Sequence, residues 1–299
     1  MLFSTVRRNL TRPIAPPLAG VGALALVIGC QVAAPAPAAP PTRPPASTLA
    51  AAGRVFEWDA TDYAFTTSDT LPAGLVTIGL SNHGQEPHQG QLLRLNDGVS
   101  FEQFTAALQQ QGEGAFQLAS AEGGPAAIDP HGNQSITLDL QPGSYVLLCL
   151  IPSPDGVPHF VKGMLKPLQV IDNGAAAVAP PRTQGTFTLK DFGFEIPDTL
   201  PAGQATYRVT NAGPQIHELG IVRLAPGKVA EDVQAWYKAP SGPPPFEAVG
   251  GMSGLSANHS GYVTLDLQPG SYAAECLVPD PASGVPHLHL GMVKAFTVR

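Results

Sequence analysis

TLDLQPGSYVLLC at residues 137–149 and TLDLQPGSYAAEC at residues 264–276 are two writings of one motif. In each, apolar residues alternate with polar ones as far as a Pro-Gly pair, which is the pattern of a half-buried strand ending in a turn. A second strand then begins at Tyr145 or Tyr272 and runs into Cys149 or Cys276. Working outward, DTLPAG stands at 69–74 and again at 198–203, and VTIGLSNHGQEPHQGQLLRL (76–95) aligns with ATYRVTNAGPQIHELGIVRL (205–224). The offset between copies stays at 127–129 residues. A unit of that length is a whole domain rather than a solenoid repeat. The expected organisation is therefore one domain over 53–172, a Gly/Ala/Pro linker over 173–182 and a second domain over 183–299.

Composition agrees with this reading. The chain of 299 residues holds 32 Gly and 32 Pro, together roughly a fifth of it, where an average protein has about 12%. Such a content opposes coiled coils and helix bundles, because Pro removes a helix hydrogen bond and Gly adds backbone entropy to be lost. At 43% hydrophobic the chain can still bury a core. Short strands between turn signals predict an all-β fold of two β-sandwiches. One helix is expected in each copy: Phe101, Phe104 and Leu108 are spaced for it behind a Ser100/Gln103 capping box, and Val229, Val233 and Trp236 repeat the spacing.

The N-terminus reads as an export signal over residues 1–30: Arg7, Arg8 and Arg12 precede the apolar run Leu18–Ile28, and VIGC closes it at Cys30. The run is too short to span a bilayer as a helix. VIGC resembles the bacterial lipobox, which implies a lipid on Cys30 and a protein anchored to the cell envelope outside the cytoplasm, touching membrane through that anchor alone. Residues 31–52 are Ala/Pro-rich and form a semi-extended tether. Loss of the three arginines takes the formal net charge from −7 to −10, which argues against nucleic acid and anionic lipid as partners.

The two remaining thiols lie at equivalent positions, and each is followed by P-H-x4-M: Cys149 by His159 and Met164, Cys276 by His287 and Met292. Upstream, His88 and His217 match each other at the ends of NHGQEPH and NAGPQIH. Each copy thus holds His, Cys, His and Met in that order. A thiolate with two imidazoles and a weak thioether suits copper in both of its common oxidation states, whereas a Met ligand is unusual for zinc. Unpaired thiols in an oxidising compartment also need protection, and a disulfide between equivalent points of two domain cores is geometrically demanding. His83, His131, His259 and His289 lack counterparts in the other copy and read as surface or turn residues.

At these residues the sequence resembles the cupredoxins, the blue or type 1 copper proteins such as plastocyanin and azurin. The likeness rests on G-x-Y-x3-C, on H-x4-M and on the final strand GMVKAFTV. It implies two tandem Greek-key β-sandwiches, each with a short inserted helix, and one copper per domain held by His88, Cys149, His159 and Met164 and by His217, Cys276, His287 and Met292. Nine and ten residues separate Cys from the second His in the two copies, where plastocyanin and azurin have only a few.

The leading expectation is an extracytoplasmic electron carrier with protein redox partners, without enzymatic activity. Alternatives are copper supply or sensing in the envelope, a relative of copper nitrite reductases or multicopper oxidases, and a metal-free adhesion module. The enzymes need further imidazoles, commonly beside the type 1 Cys, where this chain has Leu148 and Leu150, and Glu275 and Leu277.

Overall fold

A computed structural model describes residues 55–174 and 178–299. The export signal, Cys30 and the tether lie outside the described residues, as do positions 175–177 of the linker. The first repeat runs β1 (Val55–Thr61), β2 (Ala64–Thr66), β3 (Thr70–Pro72), β4 (Gly74–Asn82), β5 (Gln91–Leu95), α1 (Phe101–Gln111), β6 (Ala119–Gly123), β7 (Asn133–Leu140), β8 (Gly143–Leu148) and β9 (Leu165–Ile171). The second runs β10 (Gly185–Lys190), β11 (Gly193–Glu195), β12 (Thr199–Leu200), β13 (Gly203–Asn211), β14 (His217–Leu224), α2 (Ala230–Lys238), β15 (Phe246–Leu255), β16 (Ser260–Leu267), β17 (Gly270–Glu275) and β18 (Val293–Val298). Each repeat contributes strands to both of two sheets, the arrangement of a β-sandwich.

The period-two stretch behaves as its pattern requires. Ile136, Leu138 and Leu140 of β7 are buried, while the residues between them face outward. Each buried leucine contributes about 1.5–3 kcal/mol by leaving water. After the Pro-Gly turn, the Tyr145 hydroxyl donates to the Gln141 carbonyl (2.8 Å), and Tyr272 does the same to Gln268 (2.8 Å). Each phenol thereby pins the turn to the strand that carries the thiol.

Both sheets run through both repeats. One is ordered β11-β10-β13-β16-β7-β4-β1-β2 and the other β12-β18-β17-β14-β15-β6-β5-β8-β9-β3. The seams are β7 against β16, with Ile136 opposite Val263, and the 119–129 stretch against 248–256, with Pro125 opposite Met252. Those residues are themselves equivalents, so the repeats meet about a pseudo-two-fold axis, as identical subunits do in an isologous dimer. Pairing edge to edge removes two open sheet edges at each of the two seams. Gly124 and Gly251 let each seam segment lie close against its own repeat: at φ +134° and +135°, a Cβ on Gly124 would run into the Gly90 carbonyl and one on Gly251 into the Leu219 carbonyl.

The helices cover the outer face of one sheet. Helix α1 has the Ser100/Gln103 capping box and buries Phe104, Ala107 and Leu108. Helix α2 starts one residue later than the Val229 spacing suggests. Val229 sits in extended backbone before it and is 52% exposed, and Ala230 and Val233 supply the buried face instead. The Asp232 carboxylate holds that start by accepting from the Val229 amide (2.9 Å).

Candidate metal centre

The first imidazole of each repeat is set by an N-x-G turn. The Asn82 side-chain oxygen accepts from the Gly84 amide (2.8 Å), and its Nδ2 donates to the Glu86 and Ile128 carbonyls (2.8 and 3.0 Å). Asn211 repeats all three bonds with Gly213, Gln215 and Leu255 (2.9, 2.7 and 2.8 Å). His88 and His217 follow, both fully buried. A Cβ on Gly84 would collide with Asp62 and with His88 Nε2, and one on Gly213 with Asp191 and His217. Glycine is therefore required at both turns by close approach.

The long Cys-to-His loop does not carry its histidine away from the thiol: Nδ1 of His159 and of His287 lies 3.4 Å from its Cys Sγ. Residues 151–159 fold back as a small hairpin, with Pro152 bridged to Pro158 and the Ser153 amide donating to the Val157 carbonyl (2.9 Å). His159 then donates its amide to Ile151 (2.9 Å), and Phe160 donates to the Cys149 carbonyl (3.0 Å). The second repeat does the same through Asp280 and Val285, His287 and Val278 (2.9 Å), and Leu288 and Cys276 (2.7 Å). Met164 and Met292 are fully buried beside these residues. The Met164 amide donates to the His159 carbonyl (2.9 Å) and its carbonyl accepts from Cys149 (3.0 Å); Met292 makes the corresponding bonds with His287 (2.9 Å) and Cys276 (3.3 Å).

These frames bring together His88, Cys149 and His159 in one group and His217, Cys276 and His287 in another, with the donor atoms of each within 4.8 Å of one another. Both thiols are free. Each imidazole is oriented from its outer side. His88 Nε2 donates to Asp62 Oδ1 (3.0 Å) and His159 Nε2 to Glu86 Oε2 (2.8 Å); His217 Nε2 donates to Asp191 Oδ1 (2.7 Å) and His287 Nε2 to Gln215 Oε1 (2.8 Å). Because all four partners are acceptors, the ring proton stands on Nε2, leaving the inner nitrogen bare. The two bare Nδ1 atoms face each other at 3.1 Å in both repeats, and each Cys Sγ lies 3.4 Å from the second ring.

Two imidazole nitrogens and a sulfur converge on one buried point, an arrangement that a metal cation would fill. Burial lowers the pKa of His88, His217 and His287, which favours the neutral ligating ring. Burial also pushes the Cys149 thiol up to about 12 and raises that of Cys276, so metal binding must displace the proton. The set of two imidazole nitrogens and one thiolate in an apolar shell fits copper, one ion per repeat.

Sequence reasoning named the inner groups but passed over Asp62, Glu86, Asp191 and Gln215. A signal for the aspartates was present: each stands 26 residues before the histidine it orients. It also missed the acids behind the second thiol. Glu218 Oε1 accepts from the Leu277 amide (2.7 Å), and the Glu218 amide donates to Cys276 Sγ (3.4 Å). Glu275 accepts from the Tyr237 hydroxyl (3.1 Å), with its other oxygen buried and unpartnered. Burial pushes these carboxyls up to about 7 and about 8. Of the four other histidines, His83 is exposed, His131 occupies a left-handed turn at φ 67° and His289 is half-buried. His259 pairs across the seam with Glu122 (3.1 Å).

No protein-family model matches the chain, and no curated protein does. Among solved structures it is similar to a reduced auracyanin from Roseiflexus castenholzii, with 21% identity over 40% of this chain and 99% of that one and a TM-score of 0.29. It is also similar to auracyanin A from Chloroflexus aurantiacus, described as a blue copper protein, with 18% identity over 40% and 98% of the two chains and a TM-score of 0.28. A copper nitrite reductase from Nitrosomonas europaea matches 82% of this chain and 93% of its own, at 14% identity and a TM-score of 0.23.

Proposed function

We propose that this copper-binding chain is a one-electron carrier with a type 1-like centre in each repeat, exported and held at the cell envelope by a lipid on Cys30. The observation that carries the reading is the duplicated donor group, in which every imidazole is fixed from outside by a hydrogen bond and every donor is fully buried. Bound copper would supply the Cu(II)/Cu(I) couple. His88, Cys149 and His159, with the thioether of Met164, would hold it in the first repeat, and His217, Cys276, His287 and Met292 in the second. The chain's part is to keep these donors in one arrangement through both oxidation states. The Asn82 and Asn211 turns and the hairpins after each thiol restrain the ligands, and the apolar core behind Met164 and Met292 keeps water out.

Two features support the carrier over its rivals. Donors with no exposed surface favour slow exchange, against a supply role. The residues flanking the thiols, Leu148 and Leu150 and Glu275 and Leu277, add no imidazole for a second catalytic copper, which supports a non-enzymatic reading with a protein redox partner. The test is repeated reduction and reoxidation of the copper-loaded protein in the presence of a strong copper chelator. Retained copper and full recovery of the Cu(II)–thiolate visible band are expected. Loss of copper to the chelator within a few cycles would favour supply, and nitrite or phenol turnover would favour an enzyme.

A further inference from the structure

In both repeats the residue two places before the first histidine reaches across to the outer nitrogen of the second. Glu86 Oε2 accepts from His159 Nε2 and Gln215 Oε1 from His287 Nε2, each at 2.8 Å. Backbone and distance are shared, but the charge is not. Around the first centre the carboxylate is held in place by the Tyr63 hydroxyl, which donates to Glu86 Oε1 (2.8 Å). Tyr63 also stands edge-on to the His159 ring, with centroids 5.2 Å apart. Around the second centre Phe192 takes the same left-handed backbone position and the same edge-on place, 5.4 Å from the His287 ring, without a hydroxyl. There the amide of Gln215 is steadied by donating its Nε2 to Asp280 Oδ1 (3.1 Å). His159 therefore touches an acid directly, and His287 meets one only through an intervening amide.

We propose that Glu86 is a positioning residue that lowers the reduction potential of the first centre, and that Gln215 at the same place leaves the second centre without that effect. The inference rests on the copper reading above. A carboxylate on the far side of a ligating imidazole makes the ring a stronger donor and stabilises the more positive oxidised site. Hydrogen bonds to charged groups are roughly twice as strong as those between neutral ones. Glu218 and Glu275, behind Cys276, also act on the second centre. They stay constant when one residue is exchanged within a site, so each exchange is read against its own parent.

The experiment is spectroelectrochemical titration of the copper-loaded full chain carrying one centre at a time. Cys276→Ala isolates the first centre, with and without Glu86→Gln, and Cys149→Ala isolates the second, with and without Gln215→Glu. Glu86→Gln keeps an acceptor oxygen and removes the charge, so a purely structural role would leave the midpoint where it was. A rise equivalent to roughly a tenfold change in the Cu(II)/Cu(I) ratio is expected, about 59 mV for one electron, with a fall of similar size for Gln215→Glu. Unmoved midpoints with the thiolate band intact would overturn this inference alone. Absence of any such band in the unsubstituted protein would overturn the copper reading and this inference with it.

Discussion

The two repeats keep the same geometry around their donors and place their charge differently. Around His88 and His159 both outer partners are acids, Asp62 and Glu86, and the strand behind the thiol is apolar, with Leu148 fully buried. Around His217 and His287 one outer partner is the acid Asp191 and the other the amide Gln215, while Glu218 and Glu275 bring carboxyls to the thiol side. Parts that fix ligand position, namely the Asn-x-Gly turns, the post-thiol hairpins and the tyrosines at the Pro-Gly turns, occur in both. Divergence falls on groups that touch ligands through a side chain or line the space behind them. Duplication has therefore preserved a coordination frame and left its electrostatics free to differ.

The largest effect that could break this comparison comes from the thiols. Cys149→Ala should abolish copper at the first centre and leave the second loaded, and Cys276→Ala should do the reverse. Metal analysis would give half the wild-type copper for each single variant and none for the double. Unequal losses would show that the repeats are not independent sites. Next come the turn glycines. Gly84→Ala forces a methyl against Asp62 and His88, and Gly213→Ala does so against Asp191 and His217. Each should weaken copper at its own centre about 10–100-fold, the scale of lost outer-sphere support, as measured by competition with a chelator.

The sequence carried the strands and the inner ligands because both depend on short-range signals. Leu138 and Leu140 alternate with polar neighbours, Pro-Gly marks the turn, and His88, Cys149, His159 and Met164 recur in order in the second copy. Asp62 and Glu86 were harder to see because their role exists only after β1, the 83–88 turn and the 151–159 hairpin converge. The joining of the sheets across the repeats was also hidden. Gly123-Gly124 and Gly250-Gly251 stand at equivalent places in the two copies, but nothing local says that they lie where two equivalent edges meet. Val229 shows the opposite error, an apolar residue at helical spacing that ended up outside its helix and exposed.

A smaller effect tests the acids specific to the second repeat. Glu275 has one buried oxygen without a partner, where the first repeat has Leu148. Replacing the polar pair together, Glu275→Leu with Tyr237→Phe, removes an ill-satisfied buried carboxyl without stranding the phenol. Stability measured by urea unfolding of the metal-free protein should rise by about 1–3 kcal/mol. A loss would show that the pair has a structural role missing from the first repeat.

The smallest effect lies at the seam. His259 pairs with Glu122, and that hydrogen bond raises the histidine pKa above 6.5. A raised folded-state pKa means the stabilisation is fully present below pH 6.5 and is lost as pH climbs through the folded value. The pair is partly exposed, so its contribution stays under about 1 kcal/mol. His259→Asn should flatten the pH dependence of thermal unfolding in that window and leave the plateau above it unchanged. An unaltered profile would remove the pair from the seam's energetics.

The most direct measurement is a copper titration of the metal-free protein followed at the Cu(II)–thiolate charge-transfer band. With one His-Cys-His group in each repeat, the band should grow linearly and saturate at two copper ions per chain. Saturation at one ion, or copper uptake without the band, would contradict the assignment of a thiolate-ligated copper centre to each repeat.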